Sequence, residues 1–154
     1  MLTPEEICEI ETEQARYPNG KVVSIEAMRI VQKHRRWISD ENLRDIADLL
    51  QISADELDGI ATFYNLLFRR PVGRHIVMYC DSVSCWIMGC DHVKEHLSQR
   101  LGVPPGGTSS DGGYTLLPIV CLGACDHAPA MLVDGNLHGD LDPGKIDAIL
   151  DGYK

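Results

Sequence analysis

No run of this sequence approaches the roughly 18 consecutive apolar residues that a membrane-spanning helix needs, although 44% of its 154 residues are hydrophobic. Direct membrane insertion is therefore not expected. Basic residues are scarce: 14 Lys and Arg stand against 23 Asp and Glu, a net charge of −9. Binding a phosphate backbone calls for a basic stripe, so nucleic acid is not an expected partner. No G-x-G-x-x-G or P-loop pattern occurs, so the chain is not expected to hold NAD, FMN or ATP by itself. C-x-x-C is missing too, which removes the usual motif of dithiol exchange. Internal repeats and low-complexity segments are absent. The start, Met1-Leu2-Thr3-Pro4-Glu5-Glu6, lacks the basic and apolar regions of a secretory signal, so a cytoplasmic location is expected.

What the sequence does have is six cysteines. In a reducing compartment these argue for metal binding or redox chemistry rather than disulfides. Four of them form two pairs, Cys80-x4-Cys85 and Cys121-x3-Cys125. The first pair follows the strand-like run His75-Ile76-Val77-Met78-Tyr79 and the second follows Tyr114-Thr115-Leu116-Leu117. Thiolates are soft ligands that suit iron–sulfur clusters or zinc. Zinc sites favour the tighter C-x2-C, whereas C-x4-C opens the ligand pattern of plant-type 2Fe–2S ferredoxins. The spacing favours iron–sulfur. A zinc-stabilised interaction module without redox role stays open beside it, and a thiol oxidoreductase comes third.

Six thiols for four ligand positions leave two over. Cys8 falls on the first expected helix, far along the chain from the others, and reads as a small packing residue. Cys90 falls over a turn into a helix expected to begin just after Cys85, so it points from the helix side and is set apart from the ligands. Gly123, between Cys121 and Cys125, permits a positive φ and lets backbone amides face sulfur. Ser82 and Ser84 are further candidate donors to sulfur. His92 and His96 share a helix face but read as solvated. The acidic surface reads first as a solubility device. Around a cluster, the same negative charge would disfavour an added electron.

The first 73 residues read as a helical bundle. Thr3-Pro4-Glu5-Glu6 and Ser53-Ala54-Asp55-Glu56 are capping-box signatures. Helices are expected from residue 3 to the turn at Tyr17-Pro18, over 24–37, from about 40, and from 53. Arg69-Arg70-Pro71-Val72-Gly73-Arg74 punctuates a change of period. Beyond it the pattern predicts a strand over 75–79, one helix over 86–101, a strand over 113–117 ended by Pro118, a hairpin over 130–139 turning at Asp134-Gly135, and a last helix after Asp142-Pro143. The fold class is α+β or α/β: a helical bundle over 1–73, a candidate docking element, followed by a β-α-β-β-β-α domain over 74–154. That order resembles a reduced thioredoxin-like fold, in which Pro129 is a candidate cis-proline.

Three segments carry a closer resemblance: Ala61-Thr62-Phe63-Tyr64, Cys80-Asp81-Ser82-Val83-Ser84-Cys85, and Leu116-Leu117-Pro118-Ile119-Val120-Cys121-Leu122-Gly123-Ala124-Cys125 followed by Ala128-Pro129. Over nearly its whole length the chain resembles the thioredoxin-like 2Fe–2S subunit of respiratory complex I, the bacterial NADH:quinone oxidoreductase. The resemblance implies one 2Fe–2S cluster held by Cys80, Cys85, Cys121 and Cys125, with Cys90 in a non-ligand position. It implies an electron-transfer subunit of an oxidoreductase, without a complete active site of its own, that exchanges single electrons with FMN. FMN and NAD would be held by a neighbouring NADH-binding flavoprotein subunit, with other peripheral-arm subunits as further partners. The implied location is cytoplasmic, peripheral to the inner membrane. Ala61–Tyr64 and Arg69-Arg70 become candidates for the interface with the flavoprotein. Equivalent subunits of NAD-linked formate dehydrogenases and hydrogenases share the pattern and stay open as alternatives.

Overall fold

In the computed structural model, which describes residues 1–153, the chain divides into two compact units, Met1–Pro71 and Val72–Lys154. The first is built from four helices: α1 (Pro4–Gln14), α2 (Ser24–Arg35), α3 (Asp40–Leu50) and α4 (Ala54–Phe63). Local chemistry sets their starts. Thr3 closes a full capping box with Glu6, and Ser39 closes one with Asn42. Ser53 caps only one way, accepting from the Glu56 amide. Each such cap satisfies amides that the first turn leaves without partners. The apolar faces then close over Ile10, Met28, Val31, Ile38, Ile46 and Leu57, all fully buried.

Two polar groups cross-link this unit. Glu6 is buried on α1 and accepts from Arg35 Nε and Nη2, both at 2.6 Å, and from the Thr3 amide at 2.7 Å. Arg69 donates to Asp58 at 2.8 Å, to Asp40 at 2.6 Å and to the Ile38 carbonyl. Its guanidinium therefore ties the end of the unit to α3 and α4. It does not stand free as a docking residue, as its place in the sequence suggests.

The second unit is a four-stranded sheet in the order β2-β1-β3-β4. Its strands are β1 (His75–Cys80), β2 (Tyr114–Ile119), β3 (Met131–Val133) and β4 (Asn136–His138). β1 and β2 run parallel, with Cys80 level with Ile119; β3 is antiparallel to β1 and to β4. The hairpin turns at Asp134 and Gly135, both at positive φ. The crossover between β1 and β2 contains two helices, α5 (Val83–Ile87) and α6 (Cys90–Leu101). The single helix expected over 86–101 is broken at Gly89, whose φ of 95° is outside the helical range. The last helix, α7 (Pro143–Asp151), starts at the Asp142 cap.

Pro118 does not end β2, which continues to Ile119. Leu116, two residues earlier, turns its amide and carbonyl outward to Gly107 and Gly106. Pro118 faces the same outer side, where a strand needs no N–H. The core of this unit packs Val77, Leu97, Leu116, Met131, Val133 and Ile146, all fully buried. The Ala128–Pro129 peptide bond is cis.

Candidate iron–sulfur centre

Parallel pairing of β1 and β2 determines where the cysteines meet. Because Cys80 is level with Ile119, the chain leaves both strands at the same end, and the Asp81 amide still bonds the Ile119 carbonyl at 2.8 Å. Cys80 is the last residue of β1; Cys121 lies two residues beyond the end of β2. The two cysteine pairs, 41 residues apart at their first members, thus open side by side, although only Cys121 of the four lies in irregular chain.

Cys85 sits within α5, not just ahead of a helix as the sequence suggests. It is 2% exposed. Cys80 and Cys125 are both near enough to act on its thiol electrostatically. Burial is the main cause that pushes the Cys85 pKa up to about 11, with the Cys80 thiol adding to it and the Ala130 backbone amide opposing it. A group in that state ionises readily only beside positive charge, which a metal centre provides.

The second pair is exposed. Gly123 adopts φ 71° and directs its amide at Cys121 Sγ, 3.3 Å away, in line with the sequence expectation. Cys125 opens a short 3-10 turn, Cys125–His127. His127 anchors that turn: its Nδ1 is 2.9 Å from Asp140, and its carbonyl accepts from the Asp140 amide at 2.6 Å. The Asp140 carboxylate, then Asp126, hold the His127 pKa above its ordinary value.

The remaining candidates fall outside this arrangement. Ser82 and Ser84 bond no sulfur among the described interactions. His96 pairs with Asp147 on α7 at 3.0 Å. Cys8 is exposed, correcting its reading as a packing residue. The buried face of α1 is set by Glu6 and Ile10, and two residues on from Glu6 is about 200° around a helix. Cys90 is buried as the first residue of α6, and its thiol donates to the Cys80 carbonyl at 2.9 Å.

Among the described residues, no group of three or more His, Cys, Asp or Glu side chains is gathered as a ready site for one metal ion. A 2Fe–2S cluster asks for something else: four thiolates spread over two irons. Two cysteine pairs at neighbouring strand ends, with the Gly123 amide directed at the Cys121 sulfur, fit that group.

A profile of the thioredoxin-like [2Fe-2S] ferredoxin family matches residues 10–154. The chain belongs to this family. The E subunit of NADH-quinone oxidoreductase from Escherichia coli K12 is 46% identical over 145 residues, covering 94% of this chain and 87% of the relative. Its counterpart from Pseudomonas aeruginosa is 43% identical over 153 residues, 99% of this chain and 92% of that one. Among solved structures, an air-oxidised NAD+-reducing [NiFe]-hydrogenase superposes with a TM-score of 0.64 at 26% identity. The match covers 73% of this chain but only 20% of that longer hydrogenase chain. The 2Fe–2S family and its α+β fold are thus as the sequence indicates.

Proposed function

We propose that this chain is the electron-transfer subunit of an NADH:quinone oxidoreductase, with one 2Fe–2S cluster held by Cys80, Cys85, Cys121 and Cys125. The observation that carries the reading is the level exit of two cysteine-bearing segments from adjacent parallel strands, in a chain that the two bacterial relatives match almost end to end. When bound, such a cluster would accept and give up one electron at a time. The chain's own residues hold and tune it. Cys80 and Cys85 supply buried thiolates, Cys121 and Cys125 supply exposed ones, and the Gly123 amide donates to the Cys121 sulfur. Such donors favour the more negative, reduced state and raise the potential.

The test is metal and sulfide analysis of anaerobically purified protein, with EPR after reduction. About two irons and two sulfides per chain and a reduced-state EPR signal are expected. Stoichiometric zinc in a colourless protein would sink the proposal in favour of a zinc module. The likeness to the hydrogenase chain favours one second reading, an equivalent subunit of an NAD-linked hydrogenase. Co-purification with a nickel-containing subunit distinguishes it.

The partner that fits is an NADH-binding flavoprotein holding FMN, with other peripheral-arm subunits around it. Val83, Trp86, Ile87 and Met88, on α5 and the turn after it, are 60–70% exposed, and Val120 is 72% exposed beside Cys121. Large apolar side chains left in water together mark an interaction surface. Phe63 and Leu66 extend the exposed apolar inventory of the helical unit, at 78% and 56%, which supports that unit as a docking element. Attachment through such partners would hold the chain at the cytoplasmic face of the inner membrane; no helix among the described residues is long and apolar enough to cross it. Ile87→Asp is expected to weaken flavoprotein binding at least about tenfold, ~1.4 kcal/mol, while the visible absorbance stays. Unchanged affinity in a titration calorimeter would remove α5 from the interface.

A further inference from the structure

Residues 139–141, which follow β4 directly, back the turn that Cys125 opens. The Asp140 amide donates to the His127 carbonyl at 2.6 Å, and the Leu141 amide donates to the Pro129 carbonyl at 3.1 Å. Gly139 lies so close to this turn that a Cβ there would come within 2.5 Å of the His127 Cβ. His138 is the last residue of β4 and stands opposite Met131, which in turn stands opposite Tyr79. Directly opposed residues share a sheet face, and both Met131 and Tyr79 are buried. His138 Nε2 is closed off from water there and has no hydrogen-bond partner among the described residues. A neutral imidazole can leave that nitrogen as a bare acceptor. A charged one cannot, because both its ring nitrogens carry a proton, and a buried N–H without an acceptor is costly.

We propose that His138 is an acid-sensitive latch: as a neutral ring it lets residues 139–141 close on the turn of Cys125, and a proton on the ring loosens them. The charges around it oppose that proton. Lys145 of α7 acts on the ring as a cation, and its Nζ is fastened to the Gly139 carbonyl at 2.6 Å. The nearby carboxylates are engaged elsewhere. Asp140 pairs with His127 Nδ1 at 2.9 Å, Asp142 accepts from the Lys145 amide at 2.9 Å, and Asp126 stands 3.5 Å from His127 Nε2. Tyr79, beyond Met131, is kept neutral by burial. Burial first and Lys145 second hold the His138 pKa below its ordinary value.

Once the segment opens, His138 meets water and takes up a proton near pH 6.5. In the closed segment it does so only at lower pH. The closed form is therefore fully stable above about pH 6.5 and loses stability as the pH falls from there toward the folded pKa. His127 has the opposite sign, since its proton strengthens the Asp140 pair. It cannot cause a loss in this window.

The test is hydrogen exchange of the purified chain, read by mass spectrometry on peptides that contain Asp140 and Leu141 and corrected for the intrinsic rate at each pH. In native protein the protection of these amides should fall about threefold between about pH 7 and pH 5.5, within the tenfold per unit that one proton allows. His138→Gln and His138→Leu cannot take the proton, the first keeping a polar group and the second filling the space with carbon. Protection in both should change less than about 1.5-fold over the same interval, leaving only the weak pH dependence of the remaining groups. Constant protection in native protein overturns the proposal, as does an equal fall in the variants. Should only one variant fold, that one decides. Should neither fold, the His138 ring signal in NMR of native protein decides, since titration at or above the ordinary histidine value refutes the latch.

Discussion

Cys85→Ser is expected to remove most of the iron and the visible absorbance that goes with it. A serine oxygen is a harder donor than sulfur and ionises far less readily. At this position even a thiol is held at about 11 by burial, so the oxygen would have to give up its proton in the same desolvated place. Cysteine-to-serine exchange at exposed Cys8 is the control and should leave iron content unchanged. Iron and sulfide assays on the two variants, purified side by side without oxygen, check the difference. Full iron in Cys85→Ser with an unshifted spectrum would mean that Cys85 is not a ligand. The change should also lower the stability of the β-containing unit, because metal-binding free energy is folding free energy where ligands lie far apart in the chain.

A second large effect is expected at Glu6, with no metal involved. Its carboxylate is buried between the Arg35 fork and the Thr3 amide. Burial alone would push its pKa up. The Arg35 hydrogen bonds, the Thr3 amide and the Arg35 charge outweigh this and hold it below the ordinary carboxylate value. Glu6→Ala leaves Arg35 without its partner and opens the capping box. Removing one member of a buried pair costs about 3 kcal/mol, a large share of the stability of a small helical unit. Trp37 reports on this unit, and Trp86 is the second of the two tryptophans. In a Trp86→Phe background, urea unfolding followed by Trp37 fluorescence measures the loss. Because the folded pKa is depressed, the stabilisation is fully present above the unfolded value of about 4.3 and is lost as pH falls through the folded pKa. Glu6→Ala should therefore flatten the acid limb of the stability curve below about pH 4. A limb of unchanged steepness would place the acid sensitivity of the unit elsewhere.

What is legible in the sequence depends on distance along the chain. Thr3 with Glu6, Asp142 with Pro143, and Asp134 with Gly135 act over one to three residues, and each is readable as a local signature. The two candidate cysteine pairs stand out in the sequence because metal chemistry imposes spacing within each pair. The closeness of the two pairs is not, since it depends on the register of β1 against β2. Gly89 does carry a signal: a glycine between an apolar run and a fresh helix is a natural break, and a period-based helix over 86–101 runs straight through it. Starting that helix at Trp86 also leaves Cys85 outside the short helix that contains it. Cys8 reads wrongly as a packing residue because position on a helix does not fix its inward face; here Glu6 and Ile10 define that face. The Glu6–Arg35 and Arg69–Asp58 pairs join side chains from different parts of the fold, and no local pattern announces such a pair. Arg69 consequently reads as a surface feature when it is a brace.

The outer rim of β2 has one further consequence. Gly106, Gly107 and Ser109 occupy its outward hydrogen-bonding groups, and Pro118 offers no N–H. β4, on the opposite rim, is only three residues long. Exposed strand edges are where one chain templates another by backbone pairing. A chain made in excess of its partners therefore has little through which to recruit a second copy of itself. Any assembly at these rims must therefore be written in side chains rather than in backbone pairing.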